Sequence, residues 1–260
     1  MNAPIGHRVS LLDQGWLELL DFMPHPASGI SGDMAIVNAA RVSFMGESKG
    51  ADKDKKLLFY LVKHRHTSPF EQVQFKFRIH APVVTWWQLE RHRTFSLNLQ
   101  SGRYTEFSED SFYVPDVWRK QSPSNKQASD GQLSDEQNAD LTTQLIEHYD
   151  RSYAMYQNAL AQGVAREQAR LFLPAWGSYY TGIVTADAHN LMHFLGLRLP
   201  QEAQYEIRVY ADAIYEHFFK PALPWTAEAF DLQRGIVPTE NDTVVFDEAT
   251  GRVQIVAGPK

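Results

Sequence analysis

Residues 72–104 read "QVQFKFRIHAPVVTWWQLERHRTFSLNLQSGRY", and three textures follow one another in that stretch. Val73, Phe75, Phe77 and Ile79 alternate with Gln74, Lys76 and Arg78, the period-two pattern of a strand with one buried face. Pro82 suits the first turn of a new helix through "PVVTWWQLERHR". Ser96 to Gly102 then reads as irregular, because Asn, Ser and Gly favour turns and local backbone bonding.

Working outward, Asp33 is expected to cap a short helix through "MAIVNAARV", and "DKDKKLLFYLVKHRH" to form a second helix with a solvated start and a buried end. That helix delivers His64 and His66 to a loop. Downstream, "RKQSPSNKQASDGQLS" (119–134) has almost no apolar content and reads as a mobile surface loop. Ser134 and Gln137 make a capping box for a long helix, on which Leu141, Leu145, Tyr149, Tyr153, Tyr156 and Leu160 recur every three or four residues as far as Gly163. "VAREQARLFLP" forms a shorter helix that Pro174 stops. Helices follow from about 188 to 199 and from 201 to 219, the second with Ala203, Ile207, Ala211, Ile214 and Phe218 on one stripe. "TVVFDEATGRVQIV" reads as a hairpin around Thr250 and Gly251. No repeat or linker divides the chain, so a single domain over 1–260 is expected.

The 260 residues are 43% hydrophobic, enough for a substantial core, and carry a formal net charge of −6. A nucleic-acid or anionic-membrane binder would show the opposite balance, so any basic cluster is local and aimed at a small anion. There is no cysteine, which removes disulfides, thiolate metal sites and thiolate nucleophiles. The N-terminus lacks a signal-peptide pattern, and the apolar run "LLFYLV" is too short to span a bilayer. The cytoplasm is the expected compartment.

Arg91, Arg93 and Arg103 surround the irregular segment, and the planar guanidinium fork matches phosphate. A solvated basic face paired with carboxylates such as Glu90 would have the same spacing. Gln88, Asn98, Gln100 and Ser101 add donors and acceptors suited to a base edge or a sugar hydroxyl, or to their own backbone. "LQSGR" lacks the upstream glycine of a nucleophile elbow around Ser101. Asp187, His189 and His193 could approach metal-ligand geometry, yet "HNLMH" lacks the glutamate of the zincin motif. Arg198 sits in a last helical turn where the dipole alone favours a cation, and Arg170 could be an ordinary surface arginine.

"RHRTFSLNLQSGRY" resembles the RHR-x-x-S-x-N-x-x-S-x-R signature of flavin-dependent thymidylate synthases, with Arg91, His92, Arg93, Ser96, Asn98, Ser101 and Arg103 filling every fixed position. "AARVS" (39–43), "HRHTSPFEQ" (64–72), "ARLFLP" (169–174), "LMHFLGLR" (191–198) and "PWTAEAF" (224–230) resemble family blocks in family order. The resemblance implies an α/β (α+β) fold, a mixed or antiparallel sheet packed with long helices, in a homotetramer whose active sites are shared between subunits. It implies FAD as cofactor, with NADPH and 5,10-methylenetetrahydrofolate as co-substrates and deoxyuridylate (dUMP) as substrate. Carried over, the dUMP site is Gln88, Leu89, Glu90, Arg91, Leu99, Gln100, Ser101, Gly102, Arg103, Arg170 and Arg198. The FAD site is Ser68, Arg91, His92, Arg93, Leu99, Asp187, Ala188, His189 and His193, with no metal.

Arg198 is implied as the cation that favours an N3-ionised uracil, Ser101 as a residue that positions the pyrimidine, and His66 as a border of flavin and folate beside Ser68. Some positions depart from the family pattern: Leu99 stands where many members have Glu, Gln72 ends "PFEQ" where His is usual, and "DAH" (187–189) replaces "NAR". Loss of that arginine is expected to weaken contacts to FAD. The rival readings are a metal-dependent nucleotide hydrolase using Asp187, His189 and His193, and a non-catalytic nucleotide- or RNA-binding module built on the 91–103 loop.

Overall fold

The strand expected at residues 73–82 forms the middle of a five-stranded sheet. The computed structural model describes residues 4–43, 45–109, 111–235, 242–247 and 252–257. The chain opens with β1 (Arg8–Leu11) and β2 (Gly15–Met23), then α1 (Gly32–Val42) and α2 (Ala51–Lys63). β3 (Gln74–Pro82), α3 (Val83–Leu89) and β4 (Ser96–Leu99) follow, and then the short β5 (Arg119–Gln121) and β6 (Ser129–Gln132). After α4 (Asp135–Ala161) and α5 (Arg166–Ala169) come β7 (Tyr179–Asp187), α6 (Ala188–Arg198) and α7 (Tyr205–Ile214), the last running on as a π turn over Tyr215–Phe219. α8 (Lys220–Ala222), α9 (Pro224–Gln233) and the paired strands β8 (Asp242–Asp247) and β9 (Arg252–Ala257) complete it. The expected turn of that last hairpin, at 250–251, lies outside the described residues.

The sheet is antiparallel throughout, in the order β1-β2-β3-β7-β4. Phe75, Phe77 and Ile79 of β3 are at most 1% exposed. They join Leu17 and Leu19 of β2 and Val184 and Ala186 of β7 in one core with α1, α2, α6, α7 and α9. Each such apolar side chain withdrawn from water contributes about 2 kcal/mol, an upper figure because the unfolded chain is already partly collapsed. A second, smaller core gathers Tyr149, Tyr156 and Ala159 of α4 against Phe107, Phe112, Ala169 and Leu173. The Ser134–Gln137 capping box is present at the start of α4. Among the described residues no helix is long and apolar enough to cross a membrane.

Four expectations are corrected. Asp33 does not cap its own helix; Ser31 does, accepting from the Met34 amide at 3.2 Å. Asp33, 2% exposed, instead caps α9: its carboxylate takes the Trp225 and Thr226 amides at 2.8 and 3.1 Å and the Thr226 hydroxyl at 2.6 Å. Pro82 ends β3 and stands just before α3, which stops at Leu89 instead of running into the arginines. Ser96–Leu99 is a strand, not a loop, paired with β7 from Ser96↔Thr185 to Leu99↔Gly182. The pairing is close because residue 182 is glycine: a Cβ there would stand 2.6 Å from Leu99 Cδ2 and Trp86 Cη2.

The polar tract at 119–134 is the β5–β6 hairpin. Its turn is held by the Gln121 side-chain amide, which donates to the Asn125, Lys126 and Ala128 carbonyls at 3.1–3.3 Å. A buried ion pair links α1 to α2: Arg41 donates to Asp54, which also accepts from the Ser48 hydroxyl and the Lys49 amide. Burial alone would raise the Asp54 carboxyl, but those hydrogen bonds and the Arg41 charge outweigh it and hold it below the usual carboxylate range.

Candidate active site

The last turns of α3 and α6 meet at one guanidinium. Arg198, the final residue of α6, donates from Nε to His92 Nε2 at 3.2 Å, from Nη1 to Gln88 Oε1 at 3.0 Å and from Nη2 to the Gln88 carbonyl at 3.4 Å. A guanidinium carries five N–H groups. Three are committed here, so two remain, one on each terminal nitrogen. Together with Arg91, Arg93, His189 and His193, these residues line a cavity of about 910 Å³.

No carboxylate among the described residues lies within ion-pair distance of Arg91, Arg93 or Arg198. Arg91 and Arg93 are thus not part of a basic face paired with its own carboxylates, whereas Arg103 is, and the cavity keeps positive charge for an anionic ligand. Burial, the Arg198 charge and His193 bring His92 down to about 4, so its ring is neutral near pH 7. Burial and then the neighbouring Arg91 lower Arg198 from its ordinary value, but an arginine stays protonated.

A second cavity of about 440 Å³ adjoins the first, sharing His189, His193 and Leu197. Its other walls are largely apolar, with Leu61, Val62, Phe70, Met192 and Phe230, and His66 and Arg65 also line it. His66 further lines a third cavity of about 710 Å³ that holds Ser68, Ser43 and Gln72.

The second half of the arginine-rich stretch lies elsewhere. β4 carries it beside β7, where the Gln100 amide donates to the Thr181 carbonyl at 2.8 Å. Ser101 Oγ accepts from the Arg103 amide at 3.3 Å. Gly102 fits against the Phe107 ring, which a Cβ would approach to 2.7 Å, with Arg170 Cδ at 3.6 Å from the same point. Arg103 pairs with Glu167 at 3.6 Å, both exposed, and Arg170 Nε donates to the Glu167 carbonyl at 3.3 Å. None of Leu99–Arg103 or Arg170 lines the 910 Å³ cavity.

Residues 19–225 match the family model described as thymidylate synthase complementing protein. The flavin-dependent thymidylate synthase of Thermus thermophilus is 45% identical over 232 residues, 89% of this chain and 80% of that protein. That of Thermosipho africanus is 43% identical over 221 residues, 85% of this chain and 92% of its own. The chain belongs to the flavin-dependent thymidylate synthase family. Among solved structures, a UMP/dUMP methylase, PolB, from Streptomyces cacaoi bound with 5-Br dUMP superposes with a TM-score of 0.74 at 34% identity, covering 86% of this chain and 97% of that one.

The site residues that the resemblance implies fall into separate groups in this chain. Gln88, Arg91, His92, Arg93, His189, His193 and Arg198 share the large cavity; Leu99 to Arg103 and Arg170 lie apart from it. Ser68 and His66 meet in the third cavity. Leu89 is a core residue, 1% exposed, whereas Glu90 lines a cleft of about 580 Å³ with Arg91, Trp87 and Trp176. Asp187 caps α6, accepting from the Asn190 amide at 2.8 Å and side-chain nitrogen at 2.6 Å. Ala188 is fully buried and its amide donates to the Val73 carbonyl at 2.9 Å. With Asp187 so engaged, no group of three metal-ligating side chains converges among the described residues.

The large cavity also takes in Gln127, Glu202 and Gln204, which sequence reading did not single out. Glu202 and Gln204 follow Arg198 closely and could have been suspected from that. Gln127 lies in the polar hairpin and carried no signal at all.

Proposed function

We propose that this chain converts dUMP to dTMP as a single-domain, cytoplasmic homotetramer, with 5,10-methylenetetrahydrofolate as one-carbon donor and NADPH-reduced FAD as the source of reducing equivalents. The observation that carries the reading is Arg198, held on three sides by His92 and Gln88 and facing an anion-attracting cavity with one free N–H on each terminal nitrogen. Those two donors suit adjacent acceptors on a pyrimidine edge. Carbon 5 of uracil must become electron-rich to accept a one-carbon unit, and a fixed cation beside N3 and O2 stabilises the charge that develops. No cysteine exists in these 260 residues to add at carbon 6, so activation falls to electrostatics.

The donor set suits FAD. Arg91 and Arg93 offer charge to phosphates in the larger cavity, and the adjoining cavity offers apolar walls for a flat ring, with His189 and His193 shared between the two. Ser68, His66 and the α6 start at Asp187–His189 complete the proposed flavin and folate borders. When bound, the flavin supplies the hydride chemistry; the residues of this chain bind, orient and shield the reactants.

Two observations support a site assembled from several copies. Ser101, Gly102, Arg103 and Arg170 belong to the proposed dUMP site yet do not line the cavity that holds Gln88, Arg91 and Arg198. Trp87 and Trp176, 55% and 58% exposed, stand edge to face beside Arg91 and present apolar surface there. Anaerobic incubation of the protein with FAD, NADPH, methylenetetrahydrofolate and dUMP is expected to yield thymidylate, and to yield none when any reactant is omitted. Release of phosphate from dUMP alone would support the hydrolase reading instead. A yellow protein with a flavin spectrum separates the enzyme from a plain nucleotide-binding module.

A further inference from the structure

We propose that His92 is the positioning residue for Arg198, its Nε2 accepting the Arg198 Nε–H and so fixing the plane in which the guanidinium meets the pyrimidine. The inference rests on Arg198 facing the substrate as proposed above, and it changes what the middle residue of the "RHR" motif is for. The family resemblance assigns that residue to the FAD site. In the fold it is only 6% exposed and faces inward.

The ring has little room to turn. It meets Phe194 edge to face at 4.9 Å, lies near parallel to Phe95 at 5.6 Å and stands 6.0 Å from the His193 ring. The backbone is fixed on both sides, since the His92 amide donates to the Leu89 carbonyl and the His92 carbonyl accepts from the Phe95 amide, each at 3.0 Å. Accepting the Arg198 hydrogen at Nε2 requires the neutral tautomer with its proton on Nδ1. A protonated ring would place a hydrogen against a hydrogen and two like charges together. Burial beside Arg198 keeps the ring neutral over the working pH range.

With Nε tied to His92 and the two Nη atoms tied to Gln88, rotation about the end of the Arg198 side chain is blocked. An ångström-scale misplacement of a reacting or stabilising group costs on the order of a hundredfold in rate, and that is the loss expected when the acceptor is removed. His92→Phe keeps a flat ring in the same aromatic surroundings and lacks the acceptor; His92→Gln keeps an acceptor oxygen; Arg198→Ala removes the group being positioned.

Assayed as holoenzyme under saturating FAD and dUMP, His92→Phe is expected to lose about a hundredfold in kcat, with His92→Gln recovering a large part of it. The double variant His92→Phe/Arg198→Ala is expected to be no slower than Arg198→Ala alone, because the two act as one unit. Ultraviolet difference spectra of bound 5-fluoro-dUMP supply a readout that loose packing would not move: N3 ionisation should shift to higher pH by about one unit, a tenfold weaker preference for the anion. A His92→Phe enzyme with normal kcat and an unshifted N3 ionisation, defective only in FAD affinity, would overturn the proposal and return the ring to the flavin. Full kcat in Arg198→Ala would instead remove the site reading beneath it, and that result appears in a different variant.

Discussion

Arg41 is buried and Arg198 half-buried, and both are hydrogen-bonded through terminal nitrogens, yet they are compensated in opposite ways. Arg41 meets a carboxylate, Asp54, that two further donors hold in place. Arg198 meets only neutral acceptors, an imidazole, an amide oxygen and a backbone carbonyl. A buried cation with its counter-ion built in has its charge answered within the chain: it fastens α1 to α2. A cation propped by neutral groups keeps its charge for something outside the chain. The contrast separates an arginine that serves stability from one that serves chemistry, and spacing alone could not draw it.

Asp54→Ala should test the first half of the contrast hardest. Removing one partner of a buried pair leaves the other uncompensated, at about 4 kcal/mol, so Tm should fall sharply while kcat measured well below Tm stays near normal. Because the folded Asp54 carboxyl lies below its unfolded value of 3.8, its contribution is complete above that value and is lost as pH falls through the folded one. The stability gap between wild type and Asp54→Ala should therefore narrow in strong acid and be constant at neutral pH.

Arg198→Ala should do the reverse, slowing turnover under saturating nucleotide by roughly 3 kcal/mol of transition-state stabilisation with no comparable loss of Tm. A large Tm loss in that variant would erase the distinction. Gly182→Ala probes the framework beneath both: the added methyl group has no room beside Leu99 and Trp86, so about 2 kcal/mol of stability should be lost, with dUMP affinity weakened as β4 and residues 99–103 shift. Ser134→Ala is the smallest, about 1 kcal/mol from the lost α4 cap, visible in thermal unfolding and absent from kcat.

What the sequence made legible follows from how strong each local pattern is. β3 was readable because its inward residues are large and its outward ones charged, and α4 because a capping box precedes a long apolar stripe. β7, the partner of both β3 and β4, carries no clear strand signal: its buried positions include Gly182 and Ala186, too small to make alternation stand out beside Ile183 and Thr185. β4 alternates Ser and Asn with Leu over only four residues, and the turn-favouring Ser, Asn and Gly through residue 102 mask a strand character that comes from pairing with β7. The β5–β6 hairpin is exposed over most of its length, so no hydrophobic period marks it, and its order comes from the Gln121 side chain. At the site, the resemblance assigned His92 and Arg93 to the flavin and Arg198 to the nucleotide, and the fold brings all three with Arg91 to one cavity. The motif could not say that His92 turns inward, since its partner is 106 positions away, or that β4 would carry Ser101 and Arg103 off from the residues next to them in the motif.

The cap that Asp33 places on α9 has a consequence for how the chain comes to be folded. Its donors are 192 and 193 positions downstream, and a carboxylate enclosed without them would face a heavy desolvation penalty. On a ribosome adding about 5–20 residues per second, Asp33 therefore meets its donors only on the order of ten to forty seconds after it is made, when Trp225 and Thr226 emerge. The N-terminal third of this protein is made early and locked late, and a nascent chain stalled short of α9 would keep that surface open to chaperones.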